Sequence, residues 1–384
     1  MKLVYISDSI FPSRSASSIQ VMKMCETISR QGHALTLIVP TLRDPNTQAG
    51  DVFTFYGVDS LFRFERHCFP ISLGRVLGSV IYAWVSALAA SRAHPDVVYG
   101  RFLPACWLTA LRGVPTVFEA HVPPSTQRPG WLVNLLFRLW TRTKGNRGVV
   151  AISSALATRL EAEFGLTKVV VAHDAADVVQ CACNNQTTNT DHRLQVGYVG
   201  QLYKGKGMEL IEQLVCRCPS MQFHIVGGND SDIRYWQKSL ADAENITFHG
   251  HVQHERTETL RQKCDVLIAP YQPEVRVFGG GKNVAPWMSP LKIFEYMASG
   301  KAIVCSDLPV LREVLSHEET ALLCDPLKPE EWERSLKRLE ADLELRFTLG
   351  ETARRVHAKS YTWEARVEKV FGQMREISKG GDAA

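Results

Sequence analysis

Gly200-Gln201-Leu202-Tyr203-Lys204-Gly205-Lys206-Gly207 directly follows a short β-branched run, Val196 to Val199, and further on the chain reads Ser289-Pro290-Leu291-Lys292-Ile293-Phe294-Glu295-Tyr296-Met297-Ala298-Ser299-Gly300. The first stretch is a glycine-rich turn carrying lysines between a strand and a helix. The second opens a helix with Ser-Pro, sets a carboxylate on it and stops at a glycine. A helix N-terminus offers unpaired N–H groups at a positive dipole end, and a lysine adds an ammonium, so two such starts suit a diphosphate. The carboxylate suits ribose hydroxyls. That is the chemistry of a nucleotide-sugar site. A strand-to-helix turn with glycine and lysine is common in any α/β protein, so the argument rests on both stretches in this order.

At 384 residues the chain exceeds one ordinary core and suits two domains. Its 45% hydrophobic and 22% charged content allows a full apolar interior, and a net charge of +4 is too small to point to nucleic acid. Met1-Lys2-Leu3-Val4-Tyr5-Ile6-Ser7-Asp8 reads as a strand ending in an acid rather than as a signal peptide, which leads to an expected cytoplasmic location. The ten cysteines lie mostly in apolar runs, and Cys181/Cys183 and Cys216/Cys218 are C-x-C pairs rather than zinc knuckles; no metal site is expected. Val76 to Ser91 falls short of the ~20 apolar residues of a spanning helix and reads as a buried one.

Short β-branched runs alternate with helical patterns: Lys2 to Ile6, helix Ser18 to Arg30, Leu35 to Val39, then runs at Val97, Thr116 and Val149. A polar stretch follows, and the rhythm restarts at Val196, with helices at Met208 and Leu291. The expected fold is α/β, with two doubly wound, Rossmann-like domains facing each other across an inter-domain cleft, since ligands of such sheets bind at the strands' carboxyl ends. Boundaries are placed at 1–180, a linker at 181–193, a second domain at 194–360 and a closing segment at 361–384. Neither half carries a full G-x-G-x-x-G with a following acid, which argues against a dinucleotide oxidoreductase. Ser15, Ala16 and Ser17, in the loop before the first helix, are small enough to let a substrate approach the backbone; a serine N-cap is the plainer reading.

These residues resemble the retaining glycosyltransferases of family four, which have the GT-B fold. The likeness runs through Phe11-Pro12 and the small-residue loop, Gly32-His33, Ala151-Ile152-Ser153, Gly200 to Gly207, Ile225 to Gly228, Phe248-His249-Gly250, Asp265 to Pro270 and Ser289 to Gly300. It implies donor nucleotide-sugar binding by Gly200, Gln201, Lys206, Ser289, Pro290, Leu291, Lys292 and Glu295. Lys206 matches the lysine on the diphosphate, Gln201 stands where an arginine is usual, and Glu295 matches the second glutamate of E-x7-E, whose first position holds Trp287. His121, in Phe118-Glu119-Ala120-His121, matches a histidine that faces the reacting sugar. Catalytic roles are thus implied for Lys206 and His121, and acceptor binding for Ser15, Ala16, Ser17 and His121. Tyr361-Thr362-Trp363 resembles the family's closing segment, which crosses back to the N-terminal domain.

The implied reaction is a retaining transfer from a nucleotide-diphosphate sugar to a hydroxyl acceptor, a glycan or a lipid-linked one, with no cofactor and no metal. Ammonium and N–H groups already aimed at a departing diphosphate stabilise the transition state more than the ground state. Asp230-Ser231-Asp232 follows Gly227-Gly228-Asn229 and reads as helix capping rather than a metal motif. Gly130 to Lys144 places Leu132, Leu135, Leu136 and Leu139 on one helical face with Trp131 and Trp140 at its borders and Arg138, Arg142 and Lys144 beside them. This is either an interfacial anchor at the inner face of a membrane or a packed helix with snorkelling arginines. A GT-B sugar-nucleotide epimerase and a non-catalytic GT-B partner subunit are the rival functions.

Overall fold

Leu3, Val4, Tyr5 and Ile6 are all buried, which is why the first strand reads as continuous rather than alternating apolar sequence: its sheet is covered on both faces. The computed structural model describes residues 1–41, 52–68, 74–127, 129–179, 193–252, 254–276 and 283–380. They fall into two units, Met1–Asp174 with Trp363–Ala384, and Ala175–Thr362. The stretch read as a linker lies outside the described residues except for Arg193, as do Cys181 and Cys183.

The first unit runs β1 (Lys2–Ile6), α1 (Ala16–Arg30), β2 (Ala34–Thr41), α2 (Val52–Tyr56), β3 (Arg63–Cys68), α3 (Arg75–Arg92), β4 (Val97–Gly100), α4 (Leu103–Leu111), β5 (Thr116–Ala120), α5 (Gly130–Thr141), β6 (Asn146–Ala151), α6 (Ser154–Phe164) and β7 (Val169–Val171). Its seven strands pair in parallel in the order β3-β2-β1-β4-β5-β6-β7. The order reverses at β1, so the β1 and β4 ends form the switch point of a doubly wound sheet. Ser15 caps α1, its hydroxyl accepting from the Ser18 N–H, and Ser153 caps α6 in the same way. Gly32, with φ of 83°, follows α1 in the left-handed conformation expected of a helix-ending glycine.

The second unit holds β8 (Gln195–Val199), α7 (Met208–Arg217), β9 (Gln222–Val226), α8 (Asp230–Ser239), β10 (Ile246–Gly250), α9 (His254–Gln262), β11 (Val266–Ala269), α10 (Leu291–Ser299), β12 (Ala302–Ser306), β13 (Leu322–Cys324), α11 (Pro329–Ala341) and α12 (Leu343–Ser360). Its sheet is parallel, β10-β9-β8-β11-β12-β13. Alternation along β11 shows both faces filled: Val266 and Ile268 pack with Met208, Ile211 and Trp332, whereas Leu267 and Ala269 pack with Ile293, Phe294 and Met297. The last helix, α13 (Trp363–Gly380), belongs to the first unit and packs on α1 and β6.

Three expectations need correction. The helix at Val76 is not fully buried: Tyr82, Ala83, Ser86 and Ala87 face the core, but Val76 keeps 76% of its surface and Trp84 53%. A helix whose outer face is apolar as well as its inner one looks hydrophobic all round in sequence and so reads as buried. Trp140 is not a border residue of the α5 face either. It is fully buried with Phe137 against Phe118, while Leu132, Leu135 and Leu139 point outward. The first helix begins at Ala16, two residues before the serine expected to open it, because Ser15 and not a later serine is the cap. The eight described cysteines are free thiols, six of them buried. Among the described residues no helix is long and apolar enough to cross a membrane.

Candidate functional site

Between β8 and α7 the chain turns on glycines held at positive φ: Gly200 at 154°, Gly205 at 90° and Gly207 at 93°. The two closest approaches in this turn and the one after β9 involve backbone itself. A Cβ on Gly207 would fall on the Pro270 carbonyl oxygen after β11, and one on Gly227 after β9 would fall on the Gly200 carbonyl oxygen. The Tyr198 hydroxyl donates to the Gln201 carbonyl at 2.6 Å and pins the turn from beneath. Neither α7 nor α10 has a side-chain cap at its start, Gly207 and Pro290 occupying the cap positions, so the leading N–H groups of both helices stay available.

Two lysines converge here. Lys206 Nζ sits 5.1 Å from the centre of the Tyr271 ring and 5.3 Å from that of Tyr203; Lys292 Nζ sits 3.8 Å over Tyr198 and 5.2 Å from Tyr271. Lys292 comes from the first turn of α10, and its ammonium is buried with no hydrogen-bond partner. It reaches past Gly200, where a Cβ would stand 2.6 Å from Nζ. Among the described residues no carboxylate pairs with either lysine. Burial pushes Lys206 down to about 8, and burial followed by the Lys206 charge pushes Lys292 well below the usual lysine range. Aromatic faces offset part of this cost, but an anion would offset far more.

Glu295 shares α10 with Lys292, yet its carboxylate is engaged by Arg261 of α9 at 3.1 Å, and Arg261 is itself 5% exposed and bound to Glu258. A cavity of about 120 Å³ opens at the carboxyl ends of β8, β9 and β10, lined by Gly200, Gln201, Gly227, His251, Val252 and Thr257 among others. The structure thus brings Gly200, Gln201, Lys206 and Lys292 to one edge of one sheet, with Ser289, Pro290 and Leu291 at the adjoining start of α10. Arg261, Tyr198 and Tyr271 were not anticipated. Tyr271, the residue after Asp265 to Pro270, was the one within reach of the sequence, because residues just past a parallel strand's carboxyl end are where such folds put function. Asp230 and Asp232 lie in the first turn of α8, whose cap is Asn229, its side chain accepting from the Asp232 N–H.

In the first unit Ser15 is spent on capping α1. Ser17 Oγ meets Ser9 Oγ at 2.5 Å, and its carbonyl accepts from Arg101 at 3.2 Å. His121, just past β5, places Nε2 2.5 Å from Glu119 Oε1. The same oxygen accepts from Gln20 Nε2 at 2.6 Å and faces Arg366 Nη2 at 3.0 Å, while the Tyr99 hydroxyl donates to Oε2. Arg366, from α13, also donates to the carbonyls of Ala172 and His173. Burial alone would raise Glu119, but Arg366, His121 and Arg101 outweigh it and hold the carboxyl well below its usual range. His121 is driven down to about 4 by burial and by Arg101, against the pull of Glu119.

Comparisons fit this picture. A family profile described as Glycosyltransferase Family 4 matches residues 17–180, and one described as Glycosyl transferases group 1 matches residues 193–342. The D-inositol 3-phosphate glycosyltransferase of Stackebrandtia nassauensis is 25% identical over 324 residues, which is 74% of this chain and 70% of that protein. An uncharacterized glycosyltransferase of Methanocaldococcus jannaschii is 26% identical over 193 residues, 48% of this chain and 46% of its own. Among solved structures, Anabaena HepE in complex with UDP superposes with a TM-score of 0.70 at 15% identity, covering 98% of this chain and 100% of that one. S. aureus TarM reaches 0.75 at 9% identity, covering 97% and 100%. At such identities the structural likeness shows the fold alone. With one unit matched by each profile and both folded as parallel doubly wound sheets, the chain belongs to the family 4 glycosyltransferases and has the GT-B fold.

Proposed function

We propose that this glycosyltransferase is a retaining enzyme that takes a sugar from a nucleotide-diphosphate donor held by the second unit and passes it to a hydroxyl of a glycan or lipid-linked acceptor met by the first. The observation that carries the reading is the pair Lys206 and Lys292: two ammonium groups crowded on Tyr271, without acid partners, beside two uncapped helix starts. Such positive potential is costly in an empty protein and favourable around a diphosphate. As the glycosidic bond loosens, charge grows on the leaving phosphate oxygen, and these groups stabilise it without recourse to a metal ion. That oxygen then takes the proton of the acceptor hydroxyl attacking from the same face, which keeps the anomeric configuration. Glu295, steadied by Arg261, is the hydroxyl acceptor for the ribose. The complexes of HepE and TarM with UDP support a nucleoside diphosphate as the donor's handle.

Calorimetry with UDP, GDP and dTDP sugars tests the reading, followed by product mass with the donor that binds. Micromolar or better affinity for one donor is expected, and Lys206→Ala should cut turnover by about a hundred-fold or more while the fold is kept. No affinity for any donor would overturn it.

A membrane-borne acceptor fits the outer surface of the first unit. α3, α4 and α5 lie side by side, and none carries an aspartate or glutamate. Val76, Val80 and Trp84 of α3, Leu111 of α4 and Trp131, Leu135 and Leu139 of α5 stand exposed. Arg112 stacks over Trp84 at 4.8 Å, and Arg142 and Lys144 are exposed where α5 ends. An apolar face free of acids and edged by cations suits an anionic lipid surface, the cytoplasmic face of a membrane in this reading. Flotation with phosphatidylcholine vesicles, with and without phosphatidylglycerol, should show binding that needs the anionic lipid and is lost in a Trp131→Ser, Leu135→Ser double variant. Equal recovery with both vesicles, or none with either, would reject the contact.

A further inference from the structure

Glu119 is the most deeply buried acid of the first unit's network, its residue keeping 1% of its surface. The chemistry proposed above gives it no direct part. Groups reach toward it from every side: Tyr5 of β1, Gln20 and Cys25 of α1, Tyr99 and Arg101 at the end of β4, Asp174 after β7, and Arg366 of α13. His121 keeps an opening to solvent, at 23% of its side chain, while Gln20, Tyr99 and Arg366 are buried. An ionised carboxylate can only accept, so the ring nitrogen 2.5 Å away must carry the hydrogen. Nδ1 of the same ring then holds a bare lone pair, and among the described residues it has no hydrogen-bond partner.

We propose that Glu119, clamped by Arg366, is a positioning residue that fixes His121 in its Nε2–H form and so presents Nδ1 as a hydrogen-bond acceptor for a substrate hydroxyl; this rests on the glycosyltransferase reading only for what the hydroxyl belongs to. The pairing works because each member holds the next. Arg366 is tied to the carbonyls of Ala172 and His173, Glu119 is tied by Arg366 and Tyr99, and the ring can turn only by giving up its bond to Glu119. A neutral histidine with a set tautomer is a different tool from an imidazolium. It orients a hydroxyl without placing a third positive charge beside Arg101 and Arg366.

The test is nitrogen-15 histidine NMR on the full chain, with the His121 signal assigned by its loss in His121→Phe. The wild type should show a neutral Nε2–H ring from pH 5 to pH 8. Glu119→Gln, whose amide can either accept or donate, should give a mixture of tautomers and a fall in kcat of about ten-fold, the worth of one well-placed hydrogen bond. Arg366→Lys, which keeps a cation beside Glu119, should leave the single tautomer in place. Because Glu119→Gln leaves buried Arg366 with Asp174, at 3.8 Å, in place of its closer acid partner and could unfold the chain, the double variant Glu119→Gln, Arg366→Met removes both charges and should show the same mixture. An imidazolium or an Nδ1–H ring in the wild type at pH 7, or a single unchanged tautomer in the folded Glu119→Gln variants, would overturn the proposal. The spectra need no substrate, so a correct tautomer in a protein that transfers no sugar would instead count against the enzymatic reading.

Discussion

Lys206 and Lys292 are cations placed where charge is expensive, and the direction of their shifts sets two expectations. Lys206 titrates near 8 in the folded chain against an ordinary 10.5, so between those values the unfolded chain binds more protons than the folded one. Stability therefore rises with pH across that window, and below about 8 the charged lysine costs stability in full. Lys206→Met should raise Tm by a few degrees at pH 7 while weakening donor binding; a scanning fluorimetry trace with Tm lowered would contradict this. Binding of a nucleoside diphosphate should restore both ammonium groups. Its affinity should fall as pH climbs from 7 to 9, with proton uptake at pH 8.5 visible by calorimetry in buffers of different ionisation heat. A pH-independent affinity would argue against the lysines as the phosphate ligands. Both residues were legible in sequence because local turn chemistry places them. Arg261 was not, since its partner Glu295 lies 34 positions away and no periodicity announces such a pairing. Arg366 was hidden for the same reason, read only as part of a closing helix.

At the scale of the element, backbone contact decides what the site tolerates. Gly227 and Gly32 both hold positive φ, 107° and 83°, but a Cβ on Gly227 would strike the Gly200 carbonyl whereas one on Gly32 would meet nothing within 4 Å. Gly32→Ala should cost about 1 kcal/mol, the strain of the left-handed backbone. Gly227→Ala should cost roughly 2–3 kcal/mol more and distort the β8–α7 turn. Urea midpoints of the two variants measure the difference, and equal shifts would mean that the loops around Gly200 and Gly227 yield easily. The turn and its flanking elements were readable because β8, α7 and α10 are strongly patterned and bounded by glycine or proline. β3 was not, because Arg63, Glu65 and Arg66 make it a charged edge strand. β7 and β13 span only three residues each, too few for any period to register. α3 and α5 were visible as helices, but which side of each faces the core depends on what they pack against. The apolar outer surface was therefore partly misread.

Across the molecule, the second unit is one continuous stretch and the first is built from two separated ones. Ala175–Thr362 made alone should fold and bind the nucleoside diphosphate proposed for it. Met1–Asp174 made alone should not, because α13 supplies Val367, Val370 and Phe371 to its core as well as Arg366 to Glu119. Circular dichroism and heteronuclear spectra of the two fragments test this, and adding a peptide of residues 363–380 should rescue the N-terminal piece. A cooperative, well-dispersed Met1–Asp174 would show α13 to be dispensable. The two-domain plan was evident from the restart of the strand–helix rhythm, whereas the split composition of the first unit rests on contacts between residues such as Ala172 and Arg366, 194 positions apart. The order of synthesis gives that span a meaning. A ribosome delivers Glu119 long before the guanidinium that neutralises it, and delivers the whole of Ala175–Thr362 in between. Until the final helix is threaded home the nascent N-terminal domain stays unfinished, so a prematurely terminated chain offers proteases a half-built lobe instead of an active transferase.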